Sequence, residues 1–362
     1  MFDSTHPLVS VVILNFNGKK FLSKCLDSVL KSRYANLEVI VVDNASTDGS
    51  IELVQKNFRQ HSNLRIISNS ANLGFAEGNN TGARAATGEY VLFLNNDTEV
   101  DPKWLQELVI VVESDKTVGA AQSKLLLFDR KTIDSAGDFV NCYGKGWMRG
   151  CEEEDKGQYN KTDEIFSPRG AAMIVKKQIL KQVGYFDPTF FMICEDIDLG
   201  WRIRLNGYKV MFVPKSIVYH FGSGTRKEVQ SLQESYYYNS RNSLIMLIKN
   251  YDIQNLLMSG IINVSVELTM FLMSLPFPSK KAYNLSRVKA LSWVVLNFRY
   301  IWRKRLKVQS LVRKVPDNQI KKIMIKGNSP FSGIIWNLFY KNSIDYNHFI
   351  NEQVNLKNGW VT

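Results

Sequence analysis

Four short stretches carry the residues best suited to chemistry. The run YVLFLNND (90–97) ends in Asn95, Asn96 and Asp97; LEVIVVD (37–43) delivers Asp43 and then Asn44; SIVYH (216–220) ends in His220; and FFMICEDIDLGWR (190–202) sets Glu195, Asp196 and Asp198 behind an aromatic, apolar run. A carboxylate leaving a buried strand for a loop, as Asp97 does, is a hard oxygen ligand for Mg2+ or Mn2+, and His220 adds a nitrogen donor that Mn2+ accepts. Such an ion neutralises two phosphates at once. Asp43, at the end of a second strand, is placed to meet a ribose hydroxyl. The segment NFNGKKFL lacks the G-x-G-x-x-G turn that cradles a dinucleotide, so a diphosphate here has to be held by other means, a cation being the obvious one. The acidic triplet is harder to place, because crowded carboxylates repel and an ionised one is costly to bury unpaired. A helix start accounts for part of it. Ile197, Trp201 and Leu205 recur every fourth residue, acids in a first turn complement the helix dipole, and Asp198 and Arg202 have ion-pair spacing.

These residues need a frame, and the first hundred residues supply one. LVSVVIL (8–14), LEVIVVD (37–43), LRII (64–67) and YVLFLNND read as strands; helical patterns lie between them, through Phe21 to Leu30, from Ile51 to Phe58 and over roughly 75–87, with Ser46 or Thr47 as the cap of the second. This βαβα order predicts an α/β fold with a mostly parallel sheet flanked by helices. In such sheets ligands bind beyond the carboxyl ends of the strands. Asn15 and Asn17, Asp43 and Asn44, and Asn95 to Asp97 all fall on that edge. Downstream, KVMFVP and SIVYHFGSGT read as two further strands. Residues 123–165, including DSAGDFVNCYGKGWMRG, show no clear period and are expected to be mobile.

The 362 residues exceed what one core commonly fills, and 45% hydrophobic against 22% charged residues describes a globular chain. Cys25, Cys142, Cys151 and Cys194 contain no C-x-x-C pair, which points to reduced thiols, and MFDSTHPLVS lacks the pattern of a signal peptide. The charge is uneven. Between Ser279 and Lys326 stand fourteen Lys or Arg against one acid, Asp317, so with a total of +12 the rest of the chain is near neutral. Residues 1–230 and 231–362 are therefore read as two parts, the second a basic, aromatic helical extension.

Within that extension NLLMSGIINVSVELTMFLMSLPF (255–277) is long enough to cross a bilayer, but Ser259, Asn263, Glu267 and Ser274 gather on one face and a central Glu disfavours insertion. An amphipathic helix lying in the interface, or packed on a partner, fits better. RVKALSWVVLNFRYIWRKRLKV (287–308) mixes Trp293, Phe298, Tyr300 and Trp302 with cations, a composition suited to an anionic membrane surface; a helical subdomain or homodimer interface is the alternative. No nucleic-acid-binding module pattern is present.

In their order, VVILNFNG, VIVVDNASTDGS, NLGFAEGNNTGARAATGEY, LFLNNDTEV, RGAAMIVKK, CEDIDLGWR and VYHFGSG resemble the family 2 glycosyltransferases, inverting enzymes of GT-A fold, over roughly residues 8–225. NLGFAEGNN is similar to the branch holding bacterial rhamnosyltransferases of polysaccharide assembly. The resemblance implies that Asp43 contacts the nucleotide base or ribose, and that Asn95-Asn96-Asp97 stands where the family has D-x-D, with Asp97 as metal ligand and Asn in place of the first acid. It implies that His220 joins the metal site, that Asp196 is the catalytic base, and that Asn72, Gly74 and Asn79 shape the nucleotide pocket. Phe190, Phe191 and Trp201, with Glu195 and Asp198, would then surround the base and make it more basic. The expected protein is a metal-dependent hexosyltransferase, peripheral on the cytoplasmic face of the inner membrane. It would move a sugar, with L-rhamnose from dTDP-rhamnose as first guess, from a nucleotide diphosphate to a lipid-linked glycan acceptor. A polyprenyl-phosphate sugar transferase and a non-catalytic nucleotide-binding scaffold on the membrane are the alternatives.

Overall fold

A computed structural model describes residues 6–222, 232–276 and 281–325; the end of SIVYHFGSGT after Gly222 and the chain beyond 325 lie outside the described residues. The first half alternates as the pattern predicts: β1 (Val9–Asn15), α1 (Leu22–Leu30), β2 (Leu37–Asp43), α2 (Ser50–Asn57), β3 (Leu64–Ser68), α3 (Gly74–Ala85) and β4 (Tyr90–Asn95). Here β1 pairs in parallel with both β2 and β4, and β2 in parallel with β3. The register sets Asn15 beside Asp43, Asp43 beside Ser68 and Leu14 beside Asn95, so the polar ends of four strands fall on one edge. One local expectation fails. The second helix begins at Ser50 after Gly49, not at a Ser46 or Thr47 cap, because the Ser46 hydroxyl is already taken by Asn15 and the Asn17 amide.

The second half adds β5 (Thr98–Val100), α4 (Trp104–Ser114), β6 (Val118–Leu127), β7 (Ile133–Ser135), β8 (Asp138–Val140), β9 (Gly146–Met148), β10 (Asp163–Glu164), β11 (Ala172–Lys176), α5 (Lys177–Val183), α6 (Glu195–Leu205) and β12 (Lys209–His220). The main sheet runs β10-β12-β6-β11-β4-β1-β2-β3. Its parallel character is broken by β11, antiparallel to both β4 and β6. The two strands expected downstream are one strand, β12, whose pairing with β6 shifts register between Val213 and Ile217. Pro214 lies in that interval and has no N–H to give the ladder, which an irregularity accommodates. The stretch from 133 to 140, expected to be a mobile loop, is packed core: every residue from Ile133 to Val140 is buried, and β8 and β9 form a hairpin. Strands of three residues are too short to print a period.

Two apolar cores cover the faces of the sheet. The first continues into the C-terminal helices α7 (Leu232–Asn250), α8 (Ile253–Ser274), α9 (Lys281–Leu296), α10 (Phe298–Lys307) and α11 (Asp317–Ile320). Leu244 to Ile248, Tyr251 and Ile301 share that core with Phe190 and Trp201, so the helices after 231 are built onto the sheet domain. Ser259, Asn263 and Glu267 do collect on one face of α8, but that face points inward and the apolar face points out.

Candidate active site

The strand edge is held together by amides. Asn15, fully buried at the end of β1, donates to Asp43, Ser46 and Ser50 and accepts from Asn96 Nδ2 at 2.9 Å. Asp43 in turn accepts the Ser46 N–H at 3.2 Å. Beside it, Asn44 donates to Gly74 O at 3.0 Å and to Asn72 Oδ1 at 3.2 Å, while the Gly74 N–H returns to Asn72 Oδ1 at 2.9 Å. Gly74 has φ +75°, and a Cβ there would sit 2.5 Å from the Phe191 ring, so only glycine fits. Asn79 is 1% exposed and gives its amide to Phe75 O one turn back, which steadies α3.

The Asp97 end of the edge is built across two strands. His220 closes β12 opposite Thr98 of β5, which brings its Nε2 to 3.3 Å from Asp97 Oδ1 and 3.3 Å from Asn95 Nδ2. Its other nitrogen meets Asp134 Oδ2 at 2.9 Å. Burial alone would lower the imidazole pKa, but the Asp97 charge and the bonds to Asp134 and Asp97 push it up to about 9. Adjacent ligands of an ion bound at roughly 2.1 Å lie about 3 Å apart, close to the separation found here. Asp134 on Nδ1 fixes the ring so that Nε2 faces Asp97 and Asn95. Among the described residues no group of three or more His, Cys, Asp or Glu could hold an ion, so a cation at Asp97 and His220 would complete its shell with substrate and water oxygens. The donor set fits Mn2+, and Mg2+ less well because of the nitrogen.

Asp196 opens α6 and is oriented by backbone. Its Oδ1 accepts the Ile197 N–H at 2.8 Å, and its Oδ2 the Gly170 N–H at 3.1 Å. Gly170 also lets the backbone close in, since a Cβ would lie 2.8 Å from Phe75. The aromatic surround expected for this carboxylate stands elsewhere: Phe190 and Trp201 are fully buried in the core, and Trp201 packs edge-on to Tyr251 at 4.7 Å. Asp198 also turns away, bonding Arg202 at 2.8 Å and Lys249 at 3.0 Å. What Asp196 does have nearby is Arg169 and Asp138. The guanidinium lies 3.8 Å from Asp134 and 3.6 Å from Asp138, and the Asp196 charge acts on both Arg169 and Asp138. Burial, countered by Arg169, pushes the Asp138 carboxyl up to about 7. A chain of charges thus runs from Asp97 through His220, Asp134 and Arg169 to the surroundings of Asp196.

A model of the family described as glycosyl transferase family 2 matches residues 10–192. The chain belongs to this family. The O-antigen biosynthesis protein RfbC of Myxococcus xanthus is 30% identical over 229 residues, 61% of this chain and 18% of RfbC. The poly-beta-1,6-N-acetyl-D-glucosamine synthase of Staphylococcus epidermidis is 24% identical over 58% of this chain and 48% of its own length. This family 2 chain therefore spans about half or less of those relatives. GalNAc-T7, solved with UDP, GalNAc and Mn2+, superposes with a TM-score of 0.57 at 16% identity, covering 82% of this chain and 57% of that one. A mannosyltransferase of Pyrobaculum calidifontis with GDP-Man and Mn2+ gives 0.51 at 17%, covering 94% and 89%, and S. aureus TarS with UDP-GlcNAc gives 0.51 at 17%, covering 88% and 84%. At these identities the likeness is one of fold: the family 2 chain is GT-A-like.

Three residues of this family 2 site, Asp134, Asp138 and Arg169, were not singled out from sequence. The signal available was the pair of acids flanking SAG in DSAGD, and Arg169 directly before Gly170. Neither pattern reveals that β7 folds back against β6 to bring Asp134 under His220.

Proposed function

We propose that this chain is an inverting, metal-dependent glycosyltransferase that moves one sugar from a nucleotide diphosphate to a glycan acceptor in cell-surface polysaccharide assembly. The observation that carries the reading is the single charge network joining the Asp97–His220 pair to the surroundings of Asp196. Asp43, Asn72 and Gly74 form the nucleotide side. Asp97 and His220 hold the divalent ion, which when bound offsets the charge that develops on the departing diphosphate. Asp196, fixed by the Gly170 and Ile197 amides, takes the proton of the acceptor hydroxyl as that oxygen attacks the anomeric carbon. RfbC supports O-antigen-type chemistry, and L-rhamnose from dTDP-rhamnose is the donor to test first. The outward apolar face of α8, with Leu257, Ile261 and Leu272 all more than half exposed, supports a peripheral seat on the cytoplasmic face of the inner membrane, where a lipid-linked acceptor would be met.

The test is a thermal-shift panel of nucleotide sugars with and without Mn2+, followed by transfer assays with the donor that binds. A donor present at about 100 times its Kd stabilises the fold by roughly 2.7 kcal/mol, a readable shift. Donor binding that requires Mn2+, and transfer that requires Asp196, are the expected results. A panel with no shift, or transfer indifferent to Asp196→Asn, overturns the reading.

A further inference from the structure

The loop that delivers Asp196 is held in an uncommon shape. Phe191, Ile193 and Cys194 have φ of +61°, +69° and +70°, and none of them is glycine. At Phe191 the chain makes a three-residue turn, with the Met192 N–H bonded to Phe190 O at 2.7 Å. Conformations of this kind persist only where their surroundings over-determine them. Cys194 is the last residue before α6, so the placement of Asp196 follows from this loop.

The surroundings come from α7, in the C-terminal extension. Asn242, fully buried, directs its amide nitrogen at three loop carbonyls, Phe190 O at 3.0 Å, Met192 O at 2.8 Å and Ile193 O at 2.7 Å. The amide cannot turn over, because its oxygen accepts Arg241 Nε at 2.9 Å. Arg241 adds bonds to Thr189 O and Phe190 O, and its guanidinium lies 4.7 Å from the Trp293 ring of α9. On the donor side the loop is tied as well: Phe191 O accepts the Ala76 N–H at 3.1 Å.

We infer that Asn242 is a positioning residue for transfer, acting through loop 190–194 to set the carboxylate of Asp196 against the acceptor hydroxyl. The inference rests on the reading of Asp196 as the base. It also gives the helices after 231 a part in the chemistry, since the clamp stands on α7 and is steadied by α9.

The experiment compares Asn242→Ala and the milder Arg241→Met with wild type and with Val308→Ala, a truncation in the same apolar core that leaves the hydrogen bonds to the loop in place. Asn242→Ala is expected to lower kcat on the order of 10²-fold, the scale of a misplaced catalytic group, with donor KM within about twofold. Backbone amides of residues 192–196 should exchange hydrogen faster in Asn242→Ala and not in Val308→Ala. Arg241→Met should show the same split with a smaller loss, which covers the case in which Asn242→Ala does not fold. Wild-type kcat in a folded Asn242→Ala, or an equal kcat loss in Val308→Ala, overturns the inference. Asp196→Asn is assayed alongside. If it keeps wild-type turnover, the assignment of the base fails; if it is inactive while Asn242→Ala turns over normally, the positioning claim alone falls.

Discussion

His220 stands between two carboxylates, Asp97 and Asp134, and the second decides how the imidazole is held. With Asp134 on Nδ1 at 2.9 Å the ring is fixed with Nε2 toward Asp97 and Asn95, where it would serve as a ligand once a bound cation displaces its proton. Asp134 is itself held well below the ordinary carboxylate range: burial opposes its charge, but Arg169 and His220 prevail. Asp134→Asn removes the charge and keeps the shape. Affinity for Mn2+ in the presence of a nucleoside diphosphate should fall roughly 10- to 100-fold, as read by titration calorimetry, and an unchanged affinity would detach Asp134 from the metal site. Asp196→Asn separates chemistry from binding in the same way. Its carboxylate is bonded by backbone and not to the nucleotide side, so turnover should fall by about 10² to 10⁴ while the thermal shift given by the donor stays at the wild-type value.

At the scale of the element, α6 is anchored from beneath by a buried ionic group. Lys249 of α7 bonds Asp187 at 2.6 Å and Asp198 at 3.0 Å, Asp198 also takes Arg202, and Lys304 of α10 closes on Asp187. The Asp198–Arg202 pair was legible from its spacing of four; Lys249, fifty-one residues downstream of Asp198, was not, because nothing local in a sequence links a helix to a partner that far away. The same division runs through the fold. β1 to β4 and their edge residues could be read because each strand is long and β-branched, whereas β7 to β10, two or three residues each, and the antiparallel β11 depend on tertiary pairing. Removing one partner from a buried ionic group costs about 3–5 kcal/mol, which is the loss expected for Lys249→Met in urea unfolding. The acids set the pH response. For both Asp187 and Asp198 burial opposes ionisation but the cations prevail, so the folded pKa lies below the unfolded value of about 3.9. Their contribution is complete above that value and is lost as pH falls below it towards the folded pKa values. The difference in urea midpoint between wild type and Lys249→Met should hold from pH 7 to about pH 5 and narrow towards pH 3; a difference that does not change with pH would show that the group does not govern acid stability.

Over the whole molecule the polarity of α8 is inverted. Glu267 accepts Lys145 at 2.8 Å, Ser240 at 2.9 Å and Arg287 at 2.9 Å, and Asn263 donates to Tyr143 O at 2.9 Å, so the polar face is spent on the β8–β9 hairpin and the neighbouring helices. That docking keeps the helix against the sheet domain although it is long and apolar enough to cross a bilayer. Ile253, Leu257, Met258, Ile261, Leu268 and Leu272 are left on the outside. The aromatic and basic residues of 287–308 divide likewise: Arg287 and Arg305 are buried, with Arg305 bonded to Ile248 O and Tyr251 O, whereas Phe298, Arg299, Tyr300, Arg303 and Lys307 are exposed. A surface with an apolar stripe and a separate set of exposed cations binds lipid through two terms that respond differently to salt, since only the charge term is screened. Burying one large aliphatic side chain contributes roughly 1.5–3 kcal/mol, about tenfold or more in partitioning. In co-sedimentation with vesicles containing anionic lipid, the double variant Ile261→Glu, Leu268→Glu should therefore lose at least about tenfold in binding at any salt concentration. High salt should weaken wild type without abolishing its binding, and turnover on a soluble acceptor should be the same in both proteins. Equal sedimentation of the variant and wild type would mean that this face meets something other than lipid.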